Sequence, residues 1–307
     1  MYWNSLNDAL RAEYGGKVYK LALSSGCSCP NRDGTLGTRG CIFCDGAGAF
    51  AEAGDIPDQL AAAKARVAAK TGAGTKYIAY FQSFTNTYAP ADRLRELYTA
   101  AMEPADVAAL SIATRPDCLS PEILELLEGM NRKKPVWVEL GLQTIHPASA
   151  SYIRRGYGLP VFDRAVEELK DRGMTVVVHQ ILGLPGETKA MMAQTARYIG
   201  ASGADGIKFH LLHVLRGTDL AAEWQAGRVR VMDLDDYIAA LEACLRNIPR
   251  EMVVHRLTGD GAKRDLLAPL WSGDKKRVLN AIHNAFRRDD LEQGSALTAG
   301  EKGKFTK

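Results

Sequence analysis

Apolar residues recur along this chain in two alternating rhythms. Short β-branched runs at 18–23, 77–81, 107–113, 136–142, 174–182 and 206–212 predict six strands. Between them, apolar spacing of three and four residues predicts helices over 56–69, 91–102, 121–130, 161–172 and 188–199. Ser120-Pro121 supplies an N-cap and a first helical position, and Gly173 follows Arg172 as a helix stop. Strands that alternate with helical connections predict parallel βαβ units in a sheet covered by helices. An open doubly wound sheet and a partial or complete barrel share this pattern. Either way, the chemistry belongs at the carboxyl ends of the strands. Residues 252–257 predict a late strand followed by a basic region, and the polar tail 294–307 is expected to fray.

With 307 residues, 46% of them hydrophobic and 24% charged, the chain can bury a large core, which excludes a disordered, collagen-like or disulfide-scaffold protein. No apolar run approaches the roughly 20 residues that cross a bilayer. Met1-Tyr2-Trp3-Asn4 lacks a basic-then-apolar signal, so the expected compartment is the cytosol. The net charge of +3 is unevenly spread: from Arg246 to Arg288 there are 10 Lys/Arg against 4 Asp/Glu, an excess of 6. Such a segment is either a face for a phosphate-rich partner or a solvated surface balanced by acids elsewhere.

Four of the six cysteines, Cys27, Cys29, Cys41 and Cys44, fall within 18 residues, just after the first strand. In a reducing compartment clustered thiolates read first as metal ligands. Cys41-x-x-Cys44 is short enough for both sulfurs to reach one centre, and Gly34, Gly37 and Gly40 allow the loop to fold tightly. A closed zinc site would use all four thiolates, whereas an iron–sulfur cluster could use three and leave one iron open. Because Cys27 and Cys29 are only two apart, one of the pair is expected to be left out.

The spacing Cys29-x11-Cys41-x2-Cys44, with Phe43 before the last cysteine, resembles the cluster loop of radical SAM enzymes. It is most similar to the subgroup that contains the radical SAM half of the elongator catalytic subunit. Cys29-Pro30-Asn31-Arg32-Asp33-Gly34 resembles a bacterial group of stand-alone members. Further matching blocks are Ala113-Thr114-Arg115-Pro116-Asp117, Val138 to Thr144, Arg154-Arg155-Gly156-Tyr157 and Ile181 to Glu187. The resemblance implies a 4Fe–4S cluster on Cys29, Cys41 and Cys44, with S-adenosylmethionine on the fourth iron. Reductive cleavage to a 5′-deoxyadenosyl radical would follow, the electron coming from a flavodoxin- or ferredoxin-type donor.

The same resemblance suggests cofactor contacts. Glu139 is similar to the carboxylate that receives the amino or ribose groups, the alternative being a buried salt bridge. Gln143 would bond the ribose, and Arg155, rather than Arg154, the cofactor carboxylate. Gly183 and Leu184 would lie on the adenine side. Thr114 matches its block. Where many members carry a Gly-Gly-Glu-like segment, this chain has Phe81-Gln82-Ser83-Phe84-Thr85-Asn86, so Gln82, Thr85 and Asn86 are the polar candidates there. His179 and His210 either face the substrate or are satisfied core histidines. His210 and His213, three apart on a strand, face opposite sides.

The expected architecture is α/β, a partial (βα)6 TIM-type barrel with an N-terminal cluster loop and a C-terminal α/β extension. Residues 1–215 would form the core, 216–290 a basic extension that includes His255 to Asp260, and 291–307 a flexible tail. The expected function is radical SAM chemistry on a tRNA wobble uridine, without the acetyl transfer of the full elongator reaction. A small metabolite as substrate, or a zinc-stabilised binding protein, are the alternatives.

Overall fold

The computed structural model describes residues 2–46, 54–259, 261, 263–298 and 300. Its framework is one sheet of seven parallel strands in which neighbours in space are, with one exception, neighbours in sequence. These are β1 (Val18–Leu23), β2 (Lys76–Phe81), β3 (Val107–Thr114), β4 (Val136–Gln143), β5 (Thr175–Leu182), β6 (Gly206–Leu211) and β8 (Val253–Arg256). A short antiparallel pair, β7 (Val214–Leu215) with β9 (Leu266–Ala268), stands beside it. Helices α2 (Ile56–Val67), α3 (Ala91–Met102), α4 (Pro121–Asn131), α5 (Pro147–Tyr152), α6 (Leu159–Asp171) and α7 (Lys189–Ala201) fill the connections from β1 to β6. Then come α8 (Asp219–Gln225), α9 (Leu234–Arg246) and α10 (Lys275–Arg288), while α1 (Leu6–Tyr14) precedes the sheet. The sheet curls into a half-barrel, the partial TIM-type fold expected, with β8 as a seventh strand.

Each parallel strand has two buried faces, which is why the strands read as near-continuous apolar runs. The outward residues, such as Ala79 and Phe81 of β2 or Val136, Val138, Leu140 and Leu142 of β4, join the helices in the main core. On the inner face, α1 closes the end from which the strands start. Its Leu10 packs on Ile78, Ala109 and Trp137, with Leu6 and Tyr14 alongside. The chain before α1 lies along β8, where Val254 donates its N–H to Asn4 O at 2.8 Å. The opposite end, at the strand carboxyl termini, holds the cysteine loop.

Residues after 215 do more than flank the barrel, since β8 pairs with β6. Of the segment expected as a flexible tail, residues 291–298 are packed: Leu291 and Leu297 are buried and Gly294 N–H bonds to Leu245 O. Asp260 and residues 301–307 lie outside the described residues.

Candidate active site

The cysteine loop separates its thiols by a turn. Along a fully extended run Cys27 and Cys29 would share a face. Cys27 instead points into the main core among apolar side chains. Cys29 opens a turn, its carbonyl accepting from Arg32 N–H at 2.8 Å and Asp33 N–H at 3.2 Å. Cys29, Cys41 and Cys44 consequently line one cavity of about 270 Å³ at the carboxyl ends of the strands. Asn31 donates its side-chain amide to Cys41 Sγ at 3.5 Å and to Arg154 O at 2.7 Å, fastening the loop to the segment after α5. Burial, with Cys44 beside it, pushes the Cys41 thiol up to about 11.

Arg32 organises the far side of the loop, donating to Cys44 O at 2.7 Å. Gly40 (φ +72°) and Gly46 (φ +71°) both lie against its guanidinium, where an added Cβ would come within 2.9 and 2.8 Å. Gly40→Ala is therefore expected to displace Arg32 and misplace Cys41. Iron bound after anaerobic reconstitution should fall by about half or more, given the strain that a β-carbon adds at positive φ. Full iron loading of that variant would show that the loop tolerates the change.

The floor of the cavity is a charged hub. Inward positions alternate along each strand, and they carry Lys20, Tyr80, Ser111, Glu139, His179 and Lys208. Glu139 is fully buried. It accepts from Lys20 Nζ (2.6 Å), Ser111 Oγ (2.7 Å), His179 Nε2 (2.7 Å), Lys208 Nζ (2.8 Å) and Tyr80 Oη (3.0 Å). Burial opposes its charge, but Lys20, Lys208 and His179 together hold the carboxyl well below its ordinary range. Burial also pulls Lys208 down to about 8 and His179 to about 4, against the pull of Glu139 on each.

Two wall residues hold left-handed backbone that non-glycine residues rarely adopt, Phe84 (φ 63°) and Gln143 (φ 69°). At Gln143 the ladder between β4 and β5 shifts register, Gly141 pairing with His179 and Gln143 with Gln180. The irregularity re-aims the Gln143 side chain onto the cavity. Arg115 grips Asp117 through Nε (2.9 Å) and Nη2 (2.7 Å) and lies over the Tyr157 ring, as does Arg155.

Of the candidates from sequence, Cys29, Cys41, Cys44, Gln82, Thr114, Glu139, Gln143 and Arg155 converge on this cavity. Three do not line it. Asn86 is fully buried, its amide donating to Phe81 O and Ala113 O and its carbonyl oxygen accepting from Ser25 Oγ at 2.6 Å. Gly183 lies beneath Met232, whose Sδ would sit 3.0 Å from an added Cβ. Leu184 is in a separate apolar cluster with Ile42, Ile153 and Leu212. Arg155 commits Nε to Tyr157 O and Nη1 to Leu142 O and Thr144 O, three of its five N–H donors. Arg154 turns outward to Asp219 at 2.6 Å. Glu139 is the salt-bridge hub that was the alternative to a cofactor contact, although it also faces the cavity. Lys20, Lys208, Tyr80 and Ser111 were not singled out from sequence. Their signal was an isolated polar residue inside each apolar strand.

The thiols test two kinds of centre. A closed zinc site needs four donors about 2.3 Å from one ion. Cys27 faces away, and among the described residues no three His, Cys, Asp or Glu side chains converge on a single-ion site. Three cysteines that line one cavity without closing on a single ion instead suit a cluster, which takes each thiolate on a different iron. Arg32 and Arg115 nearby favour the negative charge of such a thiolate set.

Comparison with known proteins agrees with this arrangement. The description "Radical SAM superfamily" matches residues 34–199, and "Radical SAM C-terminal domain" matches residues 204–288. The chain is 42% identical to YtqA of Bacillus subtilis (strain 168) over 296 residues, covering 95% of this chain and 92% of that one. Similarity to the tRNA uridine(34) acetyltransferase of Methanocaldococcus jannaschii is 29% over 157 residues, half of this chain and 28% of the other. Among solved structures, the archaeal Methanocaldococcus infernus Elp3 with an N-terminal deletion (1-46) shares the fold at a TM-score of 0.69 and 18% identity. That match covers 90% of this chain and 64% of the Elp3 chain.

Proposed function

The chain belongs to the radical SAM superfamily and is a radical SAM enzyme, and from that premise we propose that it modifies a uridine in tRNA. Cys29, Cys41 and Cys44 on one wall of a cavity at the barrel mouth carry the reading. These three residues would hold a 4Fe–4S cluster, and the cavity beside them would hold S-adenosylmethionine. Bound together, the two would supply one-electron reductive chemistry at the sulfonium and, through it, hydrogen abstraction from the substrate.

The protein's own part is position and electrostatics. Asn31 and Arg32 fix the loop, while Arg155 and Tyr157 close the side next to it. Gln82, Thr114 and Gln143 present polar groups to the cofactor, and the Glu139 hub keeps a charged but internally satisfied floor beneath it. An electron donor of the flavodoxin or ferredoxin type would dock at the loop. No helix among the described residues is long and apolar enough to cross a membrane.

The tRNA assignment rests on the likeness to the acetyltransferase named above and on the excess of 6 positive charges between Arg246 and Arg288. In particular, α10 carries Lys275, Lys276, Arg277, Arg287 and Arg288 with no acid of its own. We assign residues 1–215 to the cofactors and 216–290 to RNA contact. Filter binding with unfractionated tRNA tests this. If at least three phosphates are contacted, affinity should fall about 40-fold between 50 and 200 mM salt. Absence of tRNA binding at low salt, in protein that still makes 5′-deoxyadenosine from S-adenosylmethionine and dithionite, would turn the assignment to a small metabolite.

A further inference from the structure

The mechanism above gives no direct role to two rings on β5 and β6 that also border the cavity. His179 and His210 both line the cavity there, with ring centroids 4.8 Å apart. Each ring has its tautomer fixed from behind by a charged partner. Arg256 Nη2 lies 2.6 Å from His210 Nδ1. A guanidinium in a protein is always protonated and only donates, so Nδ1 must accept. Burial, then Arg256, His179 and Lys208, hold the His210 ring far below the usual imidazole range, so it is neutral. Its one proton is therefore on Nε2, a buried nitrogen with no hydrogen-bond partner among the described residues.

His179 is locked the other way round. Its Nε2 faces Glu139 Oε2 at 2.7 Å. Because that carboxyl is ionised, it accepts only, and Nε2 must carry the proton. Burial keeps this ring neutral too, which leaves Nδ1 as a lone-pair acceptor. One wall thus presents an N–H donor from His210 beside a nitrogen acceptor from His179, both uncharged across the physiological range. Partners that fix from behind which nitrogen is protonated are the arrangement used where a histidine reads or polarises a bound group.

We propose that this histidine pair is the substrate-reading edge of the enzyme. It would accept a planar ligand with a carbonyl beside an N–H, specifically the imide edge of a uracil ring. The carbonyl oxygen would take the His210 Nε2 proton, and the ring N–H would bond to His179 Nδ1. This rests on the uridine reading above and goes beyond it by naming the atoms that select the base. Lys208, engaged with Glu139 and Tyr80, stays behind the pair as part of its support. The edge discriminates by pattern: cytidine offers an acceptor where uridine offers the N–H, and N3-methyluridine offers neither hydrogen nor space.

Equilibrium dialysis of uridine and N3-methyluridine against the full-length, anaerobically reconstituted protein tests the proposal, with filter binding of tRNA run in parallel. The expected result is saturable uridine binding that N3-methylation weakens about tenfold or more, as a site built to pair a polar edge rejects its blocked analogue. His210→Phe, which keeps a ring and removes the donor, should weaken uridine by about tenfold, yet leave phosphate-driven tRNA binding within about twofold. Equal affinity for uridine and its N3-methyl form, or no saturable binding of either, overturns the proposal even if tRNA binds. Methyl discrimination without tRNA affinity supports the edge and removes the tRNA reading instead. The comparison of ligands needs no variant, so it stands even if His210→Phe fails to fold.

Discussion

Replacing Cys41 by Ala is expected to abolish cluster assembly, while Cys27→Ala leaves it intact. Reconstituted wild-type protein should hold about four irons per chain and Cys41→Ala fewer than about one. The 5′-deoxyadenosine formed from S-adenosylmethionine should fall below detection in the variant. The contrast follows from where the two sulfurs point. Cys41 faces the cavity with Cys29 and Cys44, held by the Asn31 amide, whereas Cys27 packs against the main core. Losing the small Cys27 thiol should cost roughly 1 kcal/mol of stability and nothing in iron content. Because burial keeps the Cys41 thiol protonated to about pH 11, metal must displace that proton on binding. Equal iron loss in the Cys27 and Cys41 variants, or full loading of Cys41→Ala, would refute the three-ligand reading.

The β-strands were legible because a parallel strand buried on both faces leaves an unbroken apolar run, and all seven of the sheet, the late one at 252–257 included, were placed to within a residue at each end. Helices that lie on the sheet were legible for a related reason, since each turns one apolar stripe inward. The ones that went unread carry an apolar stripe too, obscured by short length or by dense charge. In α1 only Leu6, Leu10 and Tyr14 form a stripe, enough to plug the barrel floor but too narrow to stand out in sequence. All of α10 lies in the stretch from Arg246 to Arg288 whose charge drew the reading away from its apolar spacing. Yet Val278, Ile282, Ala285 and Phe286 are the buried face of α10.

The cavity was half legible. Cysteine spacing singled out the loop, and the family resemblance chose its three sulfurs together with Glu139, Gln143 and Arg155. What no spacing revealed was the convergence of side chains from different strands. Lys20 and Glu139 are 119 residues apart and meet at 2.6 Å only because the sheet curls. Asn86 was misread because a polar residue after a strand serves either a ligand or the backbone. Here the carbonyls of Phe81 and Ala113 claim it.

Removing Glu139 should be the most damaging single change to stability in the barrel. Glu139→Ala leaves buried Lys208 and half-buried Lys20 without their counter-charge, a loss of about 3–5 kcal/mol. The thermal midpoint should fall on the order of 10 °C, with Glu139→Gln intermediate, because an amide still accepts hydrogen bonds but carries no charge. The pH dependence separates the hub's members. Glu139 has a depressed folded-state pKa, so its contribution is complete above its unfolded value of about 4.5 and is lost as pH falls through the folded one. His179, depressed to about 4 from 6.5, binds its proton first in the unfolded chain, so stability also declines as pH drops from 6.5 towards 4. Between pH 6.5 and 5 that amounts to about 2 kcal/mol. Lys208, lowered to about 8 from 10.5, adds stability as pH rises from about 8 to 10.5. Urea unfolding at pH 5 and 7 should therefore show a steeper acid loss in wild type than in His179→Gln. Glu139→Gln should keep the loss between pH 6.5 and 5 and drop the part below 4.5. Identical acid slopes in wild type and His179→Gln would mean that the ring takes up its proton over the same pH range folded and unfolded, so that burial does not hold it neutral. The Glu139 hub would then hold three cations at pH 5 rather than two lysines and a neutral donor.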